Sequence, residues 1–512
     1  MPSASITLDP AFRTGEVPRR LFGSFVEHMG RSIYEGIYEP SHPKADDDGL
    51  RRDVVELVRE LGPTVVRYPG GNFVSNYRWE DGVGPQAERP RRLDLAWRSI
   101  ESNQFGLSEF MRWAKLADVE PMMAVNLGTR GVQEALDLLE YSNHPGGTAL
   151  SDLRIKHGDA DPYDVKLWCL GNELDGPWQV GHKSALEYGR LAAETGRAMK
   201  LVDPSIELVA CGSSNSSMPT FGSWEQTVLR EAYDYVDYIS LHAYYEERDG
   251  DVESFLASAL DMDHFIESVV STADAIGAEL GNRKRINLSF DEWNVWYQSK
   301  FHASDIAVGR SEWVEHPRVI EDEYNVTDAV VVGTLLNSLL RHGDRVTVAC
   351  QAQLVNVIAP IRSEPGSDSW RQTIFHPFAQ MAGRATGSVL QLAVSSDSYE
   401  SEKFGTAPLL DASATWDAES RRLTLFAANR GLDDALDLAV DLRSLDPAGT
   451  DGRIEDALTL AVADDGSRFT ANDQQRPDSV GMIPLSNVVV DSGTLKAELP
   501  PLSWSVIALD FQ

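Results

Sequence analysis

The chain has 512 residues, with 79 acidic against 46 Lys and Arg side chains, a formal charge of −33 and 42% hydrophobic residues. The composition is that of a globular protein, and the length exceeds what one hydrophobic core supports, so at least two domains are expected. The negative charge argues against nucleic acid and against an anionic membrane surface, and leaves neutral sugars or small metabolites as ligands.

The first twenty residues have no apolar core of a secretion signal. Ser3–Asp9 alternates polar and apolar residues and reads as a strand on its own. From there to about residue 385, short apolar runs alternate with helical patterns. The runs lie at 21–29, 64–71, 121–128, 165–173, 206–214, 236–244, 286–295 and 345–356, eight in all. Such nearly continuous runs suit strands buried on both faces. Helical periodicity falls at 47–62, with Gly62 as the stop and Asp46–Asp48 as an acidic helix start. It recurs at 106–118, 131–142, 183–202, 251–280 (two helices or one broken helix) and 325–343, where Asn or Thr opens the helix. The most apolar stretch, 329–340, is interrupted by Asn337 and Ser338 and is too short to cross a bilayer. The three cysteines, Cys169, Cys211 and Cys350, are far apart and form no CxxC. They read as buried thiols of a reduced, cytoplasmic compartment without a metal site or cofactor.

Eight strands alternating with helices predict an α/β fold, a (β/α)8 TIM barrel over residues 17–385. The rival, a doubly wound open sheet, lacks a GxGxxG after the first strand. Beyond residue 386 the runs at 421–431, 435–445 and 502–511 alternate apolar with polar residues, separated by turns such as 446–452. An appended antiparallel β-sandwich, jelly-roll-like, is expected from 1–16 plus 386–512.

In such a barrel, chemistry sits where the strands end. Those ends offer Glu27 and His28; Arg67, Tyr68, Gly70, Gly71 and Asn72; Asn126; Asn172 and Glu173; Ser213, Ser214 and Asn215; His242 and Tyr244; Asp291, Glu292 and Asn294; and Gln351, Gln353 and Asn356. Leaving that many polar groups buried and unpaired costs about 1–3 kcal/mol each. Glu173 ends the fourth run and Glu292 the seventh. Two carboxylates flanking one bond are the minimum for glycoside hydrolysis: a gap of about 5–5.5 Å gives retention, and about 6.5–9.5 Å gives inversion. Asn172 is placed to reach a sugar hydroxyl. Tyr244 would bond the nucleophile, and Arg67 would keep a carboxylate ionised. Trp97, Trp178 and Trp296 are candidate stacking faces, and His242 a supporting residue. Gly70 and Gly71 serve either a tight turn or close approach to a sugar.

The segments at 23–40, 67–85, 168–179 (WCLGNELDGPWQ), 239–245, 289–297 (SFDEWNVWY) and 352–361 together resemble the α-L-arabinofuranosidases of glycoside hydrolase family 51. The resemblance implies a retaining, metal-independent exo-hydrolase that removes terminal non-reducing α-L-arabinofuranosyl groups from arabinose-containing oligosaccharides. It implies Glu173 as acid/base, Glu292 as nucleophile, and Glu27, Asn72, Asn172, Tyr244 and Gln353 as sugar-holding residues. Gln351 stands on the same strand face as Gln353 and is its alternative. A homo-oligomer, a hexamer, is also implied. Another retaining glycosidase on this scaffold (a β-xylosidase or endo-β-glucanase) and a non-catalytic carbohydrate-binding protein are the competing readings.

Overall fold

The computed structural model describes residues 2–304, 312–447, 452–463 and 466–511. Eight parallel strands close into a barrel: β1 (Gly23–Phe25), β2 (Val65–Tyr68), β3 (Glu120–Ala124), β4 (Leu167–Leu170), β5 (Glu207–Ala210), β6 (Tyr238–Tyr245), β7 (Asn287–Val295) and β8 (Val346–Gln351). Each pairs with the next, and β8 returns to β1 through Cys350–Gly23 and Gln351–Ser24. Each strand coincides with one of the eight expected runs, with β3 starting one residue before its run and β6 ending one residue after. The reason is plain in β4, where Leu167, Trp168, Cys169 and Leu170 are all buried, as a strand with helices outside and a filled lumen inside requires.

Helices wrap the barrel. In Arg52–Leu61, Val54, Leu57, Val58 and Leu61 are buried, and Gly62, at φ 78°, closes the helix with its N–H on Val58 O. This helix begins later than its apolar pattern, because the Asp46 carboxylate ties a turn by accepting from the Asp48 and Leu50 amides. The acidic triplet therefore forms a turn ahead of the helix and is not its start. Leu107–Ala117 and Val132–Asn143 flank β3, and the 251–280 segment is broken at Ala257 into Val252–Leu256 and Ser258–Leu280. Ala149–Lys156, Ser223–Ala232 and Phe375–Arg384 are helices that the periodicity did not reveal.

Two further sheets lie against each other. One runs Ala393–Ser396, Ser3–Thr7, Leu436–Asp441, Thr494–Leu499, Val488–Asp491; the other holds Arg13–Glu16, Ser388–Leu390, Leu410–Asp417, Arg422–Asn429, Ser503–Phe511, Gly452–Leu460 and Ile483–Pro484. Ile6, Leu425, Leu438, Val440, Leu495 and Leu509 fill the space between them. The N-terminal strand joins this layer, but it pairs parallel with Leu436–Asp441 while antiparallel to Ala393–Ser396. The sandwich is thus antiparallel except at that seam. Of the expected turn at 446–452, residues 448–451 lie outside the described residues.

The apolar stretch at 329–340 belongs to helix Val326–Arg341, capped by the Asn325 side chain and buried along nearly its whole circumference. Such a helix needs protein on all sides, and here it lies between barrel and sandwich. A Cβ on Gly333 would strike Trp504 of the sandwich. Asp411 of the sandwich accepts from Asn337 and Arg341 of the helix, and from Arg430. Among the described residues no helix is long and apolar enough to cross a membrane.

Candidate active site

The C-terminal ends of the strands converge as expected. β4 delivers Asn172 and Glu173, and Glu173 sits at φ 45°, an uncommon conformation for a residue with a side chain. β7 delivers Asp291 and Glu292 together. Alternation along a strand would send these neighbours to opposite faces. Here the β6–β7 register slips, pairing Ser240 with Ser289 but His242 with Glu292, and the extra residue turns both carboxylates into the lumen.

Glu292 is gripped from two sides. Arg67 Nη1 donates to its Oε1 at 2.8 Å and Tyr244 Oη to its Oε2 at 2.7 Å. The same guanidinium donates through Nη2 to Asn172 Oδ1 at 2.7 Å, which leaves the Asn172 amide to donate to Asn72 Oδ1 at 3.2 Å. One buried arginine thus ties β2, β4 and β7 together. Glu173 is held differently: Trp178 Nε1 donates to Oε2 at 2.6 Å, and His242 Nδ1 meets Oε1 at 2.9 Å. The other ring nitrogen of His242 meets Asp291 Oδ1 at 2.9 Å. One carboxylate oxygen of Glu173, one of Glu292 and a ring nitrogen of His242 lie within 4.8 Å of one another.

Glu27 forms a third acidic corner. Its Oε1 accepts from Phe73 N at 2.8 Å and Trp97 Nε1 at 3.0 Å, and its Oε2 from Gln353 Nε2 at 3.2 Å. Gly71 separates it from Glu292: a Cβ there would stand 3.0 Å from Glu292 Oε1 and 3.1 Å from Glu27 Oε2. Gly70, at φ 141°, leaves equally little room, since its Cβ would lie 2.3 Å from Glu27 Cγ. The positive φ of Gly70 fits the turn reading of this pair, and what both glycines approach closely here is the acidic side chains.

Protonation follows from burial and crowding. Burial raises the Glu27 pKa to about 8; the Phe73 amide opposes this and the Glu292 charge adds to it. Burial likewise raises Glu173, helped by Glu292 and opposed by His242 and Trp178. Burial works against a charge on His242, but Glu292, Asp291 and Glu173 outweigh it and push its pKa up to about 10. Asp291 is lowered, since Arg67 and His242 overcome its burial. Glu173, His242 and Glu292 have a spacing that would suit a metal ion, and both ring nitrogens of His242 already meet carboxylate oxygens, Glu173 Oε1 and Asp291 Oδ1.

The expected residues Glu27, Arg67, Asn72, Asn172, Glu173, Trp178, His242, Tyr244, Glu292 and Gln353 meet in one connected cluster. Trp296 borders it, edge-on to the Tyr244 ring at 5.0 Å. Of the two glutamines, Gln353 reaches Glu27, whereas Gln351 donates to Asn294. Trp97 is buried and acts as a hydrogen-bond donor, not as a stacking face. Other strand-end residues serve the scaffold: Asn126 ties a turn through Tyr77 O and Thr129, His28 bonds Glu101 and Tyr68, and Asn356 bonds Arg31 O and Ser363. Asp291 was visible as a polar strand end, but nothing in its neighbourhood marked it as the partner of His242.

Comparison with known proteins places the chain in a family. The family models described as α-L-arabinofuranosidase 1 domain and α-L-arabinofuranosidase C-terminal domain match residues 57–265 and 291–503. The chain is 59% identical to the intracellular exo-α-(1→5)-L-arabinofuranosidase of Streptomyces lividans, covering 99% of this chain and 75% of that one. It is 50% identical to the exo-α-(1→6)-L-arabinofuranosidase of Bifidobacterium longum, covering 98% and 96% of the two chains. A solved family 51 α-L-arabinofuranosidase from Bifidobacterium longum superposes with a TM-score of 0.94 at 47% identity, over 100% of both chains. By identity along essentially its whole length and by fold, the chain belongs to the family 51 α-L-arabinofuranosidases.

Proposed function

We propose that the protein is a retaining, exo-acting α-L-arabinofuranosidase that releases terminal non-reducing arabinofuranosyl groups, with Glu292 as nucleophile and Glu173 as acid/base. The observation that carries this is the approach of the Glu173 and Glu292 carboxylate oxygens to within 4.8 Å. That gap leaves no room for the attacking water of an inverting enzyme and suits the separation of about 5–5.5 Å used for double displacement. Glu292 attacks the anomeric carbon while Glu173 protonates the departing oxygen. Water then enters, Glu173 takes its proton, and the ester to Glu292 breaks to release arabinose.

Glu27, Asn72, Asn172, Tyr244 and Gln353 hold the sugar in this reading. Support comes from their convergence around Gly71 and from the buried, unpartnered Oε1 of Gln353, an acceptor for a hydroxyl. Arg67, His242, Trp178 and Trp296 support the two glutamates. Close relatives are named for α-(1→5) and for α-(1→6) bonds, so the reading is confined to the arabinofuranosyl side of the bond. We take residues 17–385 as the catalytic unit and 1–16 with 386–512 as the sandwich. A cytoplasmic setting is supported by relatives named intracellular. A hexamer rests on the family resemblance and is checked by light scattering.

Assays on 4-nitrophenyl α-L-arabinofuranoside, the β-xyloside and a β-glucan test the substrate; preferred turnover of either of the last two would overturn it. Early-time NMR of the product tests the mechanism, with the α-anomer expected first and the β-anomer excluding retention. Glu292→Ala is expected to abolish turnover without loss of fold.

A further inference from the structure

Asp291 is fully buried one residue before Glu292, and the reaction just described gives it no part. Its Oδ1 meets His242 Nε2 at 2.9 Å, while its Oδ2 lies 3.9 Å from Arg67 Nε and 3.7 Å from Cys169 Sγ. Across the ring, His242 Nδ1 meets Glu173 Oε1 at 2.9 Å. One imidazole therefore spans two carboxylates. The charged groups that face it are Glu173 and Asp175 beyond β4, Asp291 and Glu292 from β7, and Arg67 from β2 behind Asp291. Carboxylates outnumber cations around the ring, which favours protons on both nitrogens.

We propose that Asp291 is a positioning residue that keeps His242 doubly protonated, so that Nδ1 always donates to Glu173 Oε1 and the acid proton of Glu173 is assigned to Oε2. This rests on the reading of Glu173 as acid/base. Oε2 is the oxygen that accepts from Trp178, a residue 50% exposed, whereas Oε1 is turned to the buried His242. A neutral ring that kept its Nε2–H on Asp291 would present a bare Nδ1. That nitrogen would accept the Glu173 proton in an O–H···N bond and draw it away from the glycosidic oxygen. With the ring charged, the proton passes from Oε2 to the departing oxygen as the C–O bond breaks. His242 then donates to the new carboxylate, and the proton of the incoming water returns to Oε2. The ring keeps both protons throughout.

Asp291→Asn removes the charge at nearly constant shape. Loss of general-acid help costs about 10²–10⁴-fold where the leaving group needs a proton. We therefore expect kcat/KM for an α-linked arabinobiose to fall at least about 100-fold. For 2,4-dinitrophenyl α-L-arabinofuranoside, whose leaving group needs no proton, the fall should stay under about fivefold. Equal losses on the two substrates would overturn the proposal. So would additive losses in Asp291→Asn/His242→Gln, because the relay acts only through that ring. Should Asp291→Asn not fold, His242→Gln carries the same two-substrate comparison with the same refuting result. The underlying reading has its own readout: Glu173→Ala with the dinitrophenyl substrate should accumulate an arabinosyl adduct on Glu292, seen by mass spectrometry. Its absence would overturn both readings; an adduct with unselective losses overturns only the role of Asp291.

Discussion

Replacing Gly71 with alanine probes the site with one methyl group. The added carbon would stand 3.0 Å from Glu292 Oε1 and 3.1 Å from Glu27 Oε2, where ordinary van der Waals separation for carbon is about 3.5–4.0 Å. Both carboxylates must give by some tenths of an ångström, and neither is free to. Glu292 is clamped by Arg67 and Tyr244, and Glu27 by the Phe73 amide, Trp97 and Gln353. A misplacement of about 1 Å costs on the order of 100-fold in rate, so a shift of a third to a half of that, scaled in activation free energy, predicts a loss of about 5- to 10-fold in kcat/KM. Overpacking adds a stability cost of about 1–3 kcal/mol, which lowers Tm by a few degrees. Initial rates on 4-nitrophenyl α-L-arabinofuranoside, with calorimetry alongside, read both quantities. A variant with kcat/KM within twofold of the parent and an unchanged Tm would show that Gly71 is not pressed between the two carboxylates.

Glu27 gives a pH prediction. Its folded pKa of about 8 lies above the ordinary value of 4.5, so the folded chain holds the extra proton between those limits. The contribution is complete below pH 4.5 and lost as pH rises through 8, a swing on the order of 5 kcal/mol. Tm should therefore fall more steeply from pH 5 to 9 in the parent than in Glu27→Gln, and parallel slopes would refute this. Trp178→Phe removes an N–H donor that favours ionised Glu173; the basic limb of the kcat/KM profile should move to higher pH, and an unmoved limb would contradict it. Asp411→Ala removes the carboxylate paired with buried Arg430 at the joint between barrel and sandwich, while Arg341 keeps its pair with Asp263. The expected cost is about 3–5 kcal/mol, seen as a lower Tm with kcat/KM of the folded protein preserved; a Tm within a degree of the parent would refute it.

The barrel was legible because its strands are buried on both faces, which makes each a continuous apolar run. The rule that chemistry gathers at strand ends then selected Glu27, Glu173, Asp291 and Glu292 from among 79 acidic residues, and the family resemblance singled out three of the four. The helix Ala149–Lys156 escaped notice because only Ser151 and Arg154 of it are buried, so no apolar stripe marks it. The parallel pairing of Ser3–Thr7 escaped because strand direction is set by which partner is available, not by the strand's own alternation.

Local pattern by itself determined the alternation of strands and helices and the residue types at each strand end, since burial and periodicity are written in neighbouring residues. Tertiary structure alone decided that Asp291 and Glu292 face the same way, that Gln353 and not Gln351 reaches Glu27, and that His242 bridges two acids. Those outcomes depend on ladder register and on the distance between strands that are remote along the chain, and hydrogen bonding between such segments is fixed only when the barrel closes.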